Sequence, residues 1–283
     1  MKKVIFLRSQ DPNTDSRLQR YLMILKERKI PYLCIGWLRE KKEPSNHSSN
    51  TIYYTVPAEI GGGSKNIFPL IKWNFFIFKT LWSNRKNFSS IHSVDFDTCV
   101  IAYIFAKIFR KHLIVDIYDK YTDSRNISGK IKRLIDSIEK FICQQANTLI
   151  LPDSCRITQL GLSYHQDNIL IFENIPLPIT SPLEQTPFPH SLNTKLHISY
   201  VGILEKHHRG LENLIKVVSL LPDVSLTIAG QGALKEWIIQ TISSSPNITF
   251  LGKVPATQAL SIATQSDLIV GMYYKSKRNH LFA

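Results

Sequence analysis

The chain has 283 residues, enough for two domains of ordinary size, and its 43% hydrophobic content is that of a globular protein, which excludes disorder as the default. Its 35 basic residues against 22 acidic ones give a formal net charge of +13, which implies anionic partners: nucleic acid, anionic lipid headgroups or phosphorylated substrates. Only residues 4–7 are apolar before Arg8, too few for a secretion signal, and the apolar-rich segment 67–81 is broken by Lys72, Asn74 and Lys79, so no membrane span is expected.

Residues 1–175 read as alternating strands and helices, the pattern of a mostly parallel sheet with helices on both faces. A strand over 4–7 comes first. Asp15 caps a helix whose inner face is Leu18, Tyr21, Leu22 and Leu25, and a strand over 32–36 follows. A polar loop over 40–50 leads to a strand over 52–56, then to the glycine triplet Gly61, Gly62 and Gly63. Next comes an aromatic and basic segment over 67–88, a strand edge over 89–93, a helix over 97–109 and a buried strand over 113–116. Ile131, Leu134, Ile135, Ile138, Phe141 and Ile142 mark a further helix face before a strand over 148–151. Five prolines in the polar stretch 176–194 mark an interdomain linker. The remainder, 195–283, alternates again, with strands near 198–201, 225–229, 248–251 and 267–271, and reads as a partial second domain. Cys34, Cys99, Cys143 and Cys155 lie far apart, without CxxC spacing, and read as buried cytosolic thiols.

The segment 197–232 carries the clearest chemical signal. Ile198, Tyr200 and Val201 form a strand ending on Gly202; Leu211, Leu214, Ile215 and Val218 repeat at helical spacing; a second apolar strand follows. Between strand and helix stand Lys206, His207, His208 and Arg209. A cationic loop opening a helix combines side-chain charge with unpaired amides and the positive end of the helix dipole, which suits a phosphate or diphosphate. The alternative for Lys206 and Arg209 is a pair of solvated charges at a turn.

These motifs resemble those of glycosyltransferase family 4. The first-domain pattern stands here as Asp15, Ser16 and Arg17, then as His92, Ser93, Val94, Asp95, Phe96, Asp97 and Thr98, then as Asp116 and Asp119 at a strand end. Tyr200, Gly202, Arg209 and Gly210 match the opening of the family's second domain, and Gly230 and Gly232 its later Gly-x-Gly. The resemblance implies an α/β chain of GT-B type, two Rossmann-like doubly wound domains facing across a cleft, with the second incomplete. It implies a glycosyltransferase that moves a sugar, with retention, from a nucleoside-diphosphate donor to a polysaccharide or lipid-linked acceptor, with no metal and no cofactor besides the donor substrate. His92, Asp95 and Asp119 are then the catalytic candidates, and Gly62, Gly63, Gly202, Lys206, Arg209, Gly210, Gly230 and Gly232 the donor-binding ones. Three departures stand out: Ile203 where many relatives have arginine, Val94 where they have a second histidine, and no pair of glutamates after Asn279 and His280 before Ala283. That last departure leaves a second expectation, a truncated and inactive remnant acting as a binding or assembly partner.

For His92 and Asp95 a structural role stands beside acceptor positioning, and for Asp116 and Asp119 a cap or turn role stands beside a catalytic one. The segment 67–88, with Phe68, Trp73, Phe75, Phe76, Phe78, Trp82 and Phe88 among Lys65, Lys72, Lys79, Arg85 and Lys86, reads either as a core helix with basic edges or as an interfacial helix on an anionic membrane. The expected location is the cytoplasm, and the second reading makes the protein peripheral on the inner membrane face. No nucleic-acid recognition motif accompanies the charge, so nucleic acid is not the expected partner.

Overall fold

The computed structural model describes residues 2–39, 49–58, 66–125, 127–175, 196–275 and 281. The glycine triplet at 61–63, the proline-rich segment 176–194, and Asn279 and His280 lie outside them. The chain divides into two compact units, Met1–Leu177 and Pro178–Leu281.

In the first unit, β1 (Lys3–Arg8), β2 (Tyr32–Trp37), β3 (Thr51–Tyr54), β4 (Phe88–Val94), β5 (His112–Asp116), β6 (Thr148–Leu151) and β7 (Ile169–Ile171) form a parallel sheet in the order β3-β2-β1-β4-β5-β6-β7. Successive side chains of a strand face opposite sides, and β1 serves two cores accordingly. Ile5 and Leu7 join Trp73 of α2 (Ile67–Asn84), Phe105 of α3 (Phe96–Phe109) and Ile142 of α5 (Gly129–Gln145); the short α4 (Tyr121–Ser124) precedes α5. Phe6 faces the other way, onto Leu18 and Leu22 of α1 (Ser16–Glu27). The sheet is therefore doubly wound, with α1 and the α2–α3–α5 layer on opposite faces. Asp15 caps α1 by accepting the Leu18 amide, and α6 (Cys155–Leu160) ends on Gly161 in the left-handed region.

Two expectations need correction. Residues 89–93 are not a sheet edge: β4 lies between β1 and β5, in the middle of the sheet. Its polar residues are compatible with that position because side chains satisfy them; the buried Ser93 hydroxyl, for example, lies 2.8 Å from the Thr98 hydroxyl. The aromatic segment is likewise divided. α2 stops at Asn84, Phe88 opens β4, and both Trp73 and Phe88 are fully buried, so neither belongs to an exposed face.

The second unit has a parallel sheet ordered β10-β9-β8-β11, from β8 (Leu196–Ile203), β9 (Val224–Gln231), β10 (Ile248–Phe250) and a two-residue β11 (Leu268–Ile269). Ile198 and Tyr200 of β8 pack with Leu211 and Ile215 of α7 (Leu211–Val218) and Ile238 of α8 (Lys235–Thr241). Ala229 of β9 meets Ile262 of α9 (Ala256–Thr264), with Val201 of β8 packed against them. This sheet is thus covered on both faces too. Cys34, Cys99 and Cys143 are buried thiols, and Cys155 is half-buried.

Candidate functional site

Open α/β sheets bind ligands beyond the carboxyl ends of their strands, where the strand order reverses. In the first unit that point lies between β1 and β4, and the sequence motifs converge on it. Arg8, the last residue of β1, bonds Asp95 Oδ2 through Nη1 at 2.7 Å, and its Nε lies 2.6 Å from Asp15 Oδ2. Burial alone would lower the Arg8 guanidinium, but the charges of Asp95 and Asp15 raise it. Asp95 sits at φ 59°, ψ 167°, a backbone conformation costly for any residue with a Cβ. It is over-determined there: its amide donates to the Asp116 carbonyl at 2.9 Å, and its Oδ1 accepts the Tyr118 amide at 2.9 Å. Burial pushes its carboxyl up against the opposing pull of Arg8.

A second set lies beneath. Asp116, fully buried at the end of β5, accepts from Arg17 Nη2 at 3.0 Å and the Tyr21 hydroxyl at 2.9 Å, with His92 Nε2 at 3.3 Å. Burial would raise the Asp116 carboxyl, but the His92 hydrogen bond and the Arg17 charge hold it below its ordinary range. His92 is buried, with its ring against Phe6 and Tyr21. Asp119 accepts from Arg156 Nη2 at 2.9 Å. Of the three catalytic candidates, Asp95 alone combines backbone strain with a place at the sheet's switch point. Arg8, Tyr21 and Tyr118 were missed by the sequence reading; the position of Arg8 at the end of the first strand was the available signal.

In the second unit the switch point lies between β8 and β11. Gly202 pairs with Gly230 across the ends of β8 and β9. A Cβ on Gly230 would lie 1.8 Å from the Gly202 carbonyl oxygen, and one on Gly232 would lie 2.5 Å from that of Leu204, so both glycines are required by backbone approach. Gly210 opens α7 in the left-handed region at φ 62°. A Cβ there would come within 2.9 Å of Met272 and 3.1 Å of the Tyr274 hydroxyl, so the β8–α7 loop packs on the segment after β11. The same contact holds Arg209: its guanidinium stacks 4.1 Å from the Tyr273 ring centroid and lies 3.5 Å from Glu205. Lys206 is exposed and lines a groove of about 520 Å³ between α7 and α8, together with Asn213, Lys216, Trp237 and Tyr274. The structure thus gathers Gly202, Lys206, Arg209, Gly210, Gly230 and Gly232 around the carboxyl ends of β8 and β9. Gly62 and Gly63 lie outside the described residues. Among the described residues no cluster of three His, Cys, Asp or Glu side chains could hold a metal ion.

This geometry defines a class of architecture: two parallel, doubly wound, Rossmann-like units, the arrangement of GT-B type. Among the solved structures of similar fold are the following three. The Anabaena protein HepE, solved in complex with UDP and glucose, matches with a TM-score of 0.66 at 15% identity, over 96% of this chain and 74% of that one. Sucrose-phosphate synthase from Thermosynechococcus elongatus matches with a TM-score of 0.66 at 14% identity, over 95% of this chain and 75% of that one. The lipopolysaccharide outer core galactosyltransferase WaaB matches with a TM-score of 0.59 at 14% identity, over 93% and 71%. No protein-family model and no curated protein matches the sequence.

Proposed function

We propose that the chain is a nucleotide-sugar glycosyltransferase whose second unit holds the donor diphosphate. The carrying observation is the β8–α7 loop, which sets Lys206 and the stacked, half-buried Arg209 at the carboxyl end of β8 beside the start of α7. Structures of similar fold were solved with UDP, with UDP-glucose, and with UDP and glucose, which supports a nucleoside diphosphate as the ligand class. In transfer, the bond between the anomeric carbon and the diphosphate oxygen breaks while an acceptor hydroxyl oxygen bonds to that carbon and gives up its proton to the departing diphosphate. Charge accumulates on the leaving group as that bond loosens, and Lys206 and Arg209 neutralise it. Reaction on one face of the sugar, with retention, follows from the leaving group serving as proton acceptor. The first unit supplies the acceptor side, with Asp95 held for that role, and the acceptor is a surface polysaccharide or a lipid-linked glycan.

The test is calorimetric titration of UDP-, GDP- and ADP-sugars, with turnover measured on the binding donor. Arg209→Ala is expected to lower turnover by a factor of about 10² to 10³, as for loss of one donor aimed at developing charge. Unchanged turnover in that variant, or no nucleotide bound by the unaltered chain, overturns the reading.

A further inference from the structure

The charge network at the β1/β4 switch point is polarised, and its positive end holds two guanidiniums against one carboxylate. At one end, Arg8 faces two carboxylates, Asp15 and Asp95. At the other, Asp97 faces two guanidiniums: its Oδ2 accepts from Arg125 Nη2 at 3.0 Å and Arg39 Nη2 at 3.4 Å, besides the Ser9 hydroxyl at 3.0 Å. Both guanidiniums are pre-set by stacking, Arg39 at 4.3 Å from the Trp37 ring and Arg125 at 3.9 Å from the Tyr121 ring. A guanidinium has five N–H donors. Arg39 uses Nε on the Ser9 carbonyl and Nη2 on Asp97; Arg125 uses Nη1 on the Ser124 hydroxyl and Nη2 on Asp97. The other donors of each have no partner among the described residues. Burial lowers the Arg39 guanidinium, and the nearby Arg125 charge opposes the help it receives from Asp97. Asp97 is the one carboxylate set against the two guanidiniums, so a second anion beside it would balance the remaining positive charge. The Arg125 side chain is 30% exposed and that of Arg39 9%, so a ligand would meet Arg125 first, with Arg39 behind it.

We infer that Arg39 and Arg125 form a recognition site for the phosphate of an acceptor, so that the acceptor is a phosphorylated sugar or a phosphate-bearing lipid glycan. Paired, rigid guanidiniums match phosphate oxygens in two-point hydrogen bonds. The site lies wholly within the first unit, beyond the carboxyl ends of the strands, where such folds bind ligands. It rests on the transferase reading for its biological meaning, since an acceptor implies a donor, but not for its binding chemistry.

The test uses the whole chain with saturating UDP, which occupies the cationic loop of the second unit. Glucose 6-phosphate, glucose and vesicles containing phosphatidic acid are then titrated separately. The unaltered chain is expected to bind glucose 6-phosphate or the vesicles but not glucose. Arg125→Gln is expected to weaken that binding about tenfold or more, with Arg125→Lys recovering only part of it because a point charge lacks the fork. Arg39→Gln is expected to act in the same direction. A vesicle response that falls in Arg125→Gln identifies a lipid-borne phosphate, whereas one that the variant leaves unchanged reports docking elsewhere and counts against the site; a response to glucose 6-phosphate identifies a soluble one. Equal binding of both probes by the unaltered chain and both Gln variants, or binding of neither probe by the unaltered chain, overturns the inference. UDP affinity, measured in the same samples, is expected to be unchanged in Arg125→Gln; its absence from the unaltered chain would overturn the transferase reading instead.

Discussion

Gly230 and Gly252 answer two different demands on a glycine. Both have φ in the range unfavourable to other residues, 149° and 69°, but a Cβ on Gly252 would meet nothing within 4 Å. At Gly230 it would lie 1.8 Å from the Gly202 carbonyl oxygen, a backbone atom that can move only if the ends of β8 and β9 separate. Gly252→Ala is therefore expected to cost about 1 kcal/mol, the left-handed conformation alone. Gly230→Ala adds a backbone clash and is expected to cost about 3 kcal/mol or more. Urea unfolding of the two variants measures the difference, and equal costs would mean that the strand ends part freely. The comparison bears on function, because those strand ends are the floor beneath Lys206 and Arg209. Asp95 shows the converse arrangement: a non-glycine residue kept in a strained conformation by Arg8, Tyr118 and the Asp116 carbonyl rather than by lack of a side chain.

At the scale of elements, α5 carries a buried acid whose ionisation opposes folding. Glu139 is fully buried; its Oε1 accepts the Tyr121 amide at 3.3 Å, and Oε2 has no hydrogen-bond partner among the described residues. Burial pushes its carboxyl from the ordinary 4.5 up to about 8. Between those values the folded chain keeps a proton that the unfolded chain has released, so the stabilisation is full below pH 4.5 and is lost as the pH rises through about 8. Glu139→Gln removes the titration, and the stability of the unaltered chain relative to it is expected to fall across that window by up to about 1.4 kcal/mol per pH unit. Urea midpoints at pH 5, 6.5 and 8 check this, and a constant difference would sink it. The periodicity that made α5 legible in sequence gave no hint of Glu139, because the residues around it on α4 arrive through the fold. The same limit explains the site. β1, α1, β8, α7 and β9 were legible because apolar residues recur at period 2 or 3.6 with a cap or glycine at their ends. The motif residues Asp15, Arg17, His92, Asp95 and Asp116 were legible as a set. Their partners were not: Arg8 meets Asp95 across 87 positions and Arg125 meets Asp97 across 28, contacts that only the strand order creates. The central place of β4 was hidden by its serines and histidine, whose polarity fits a central strand only once side-chain hydrogen bonds account for them.

At the scale of the whole molecule, the net charge of +13 and the outer face of α2 are the two features that an anionic membrane surface would engage. α2 is two-sided. Trp73, Ile77 and Leu81 recur every four residues and are fully buried, whereas Phe68, Ile71 and Phe75 on the other side are 77%, 59% and 69% exposed. Trp82 continues the outer stripe, and α3, packed beside α2, adds the exposed Ile104 and Ile108. A soluble surface rarely leaves such a stripe uncovered, and Lys72, Lys79 and Lys107 on the same two helices, with Arg85 just after α2, supply the charge that anionic headgroups attract. None of the described helices is long and apolar enough to cross a membrane, so docking would be interfacial. A lipid-linked acceptor would then be met at the surface that carries it. Co-sedimentation with vesicles containing phosphatidylglycerol is expected to bring down the unaltered chain at low salt, and to do so less as salt screens the lysines and arginines. Replacing Phe68 and Phe75 by serine removes insertion while leaving the buried face of α2 intact, so binding is expected to fall severalfold, about 1 kcal/mol or more of partitioning, with little change in melting temperature. A chain that stays in the supernatant at low salt, or a double variant that binds as well as the unaltered chain, would show that the exposed stripe serves another purpose.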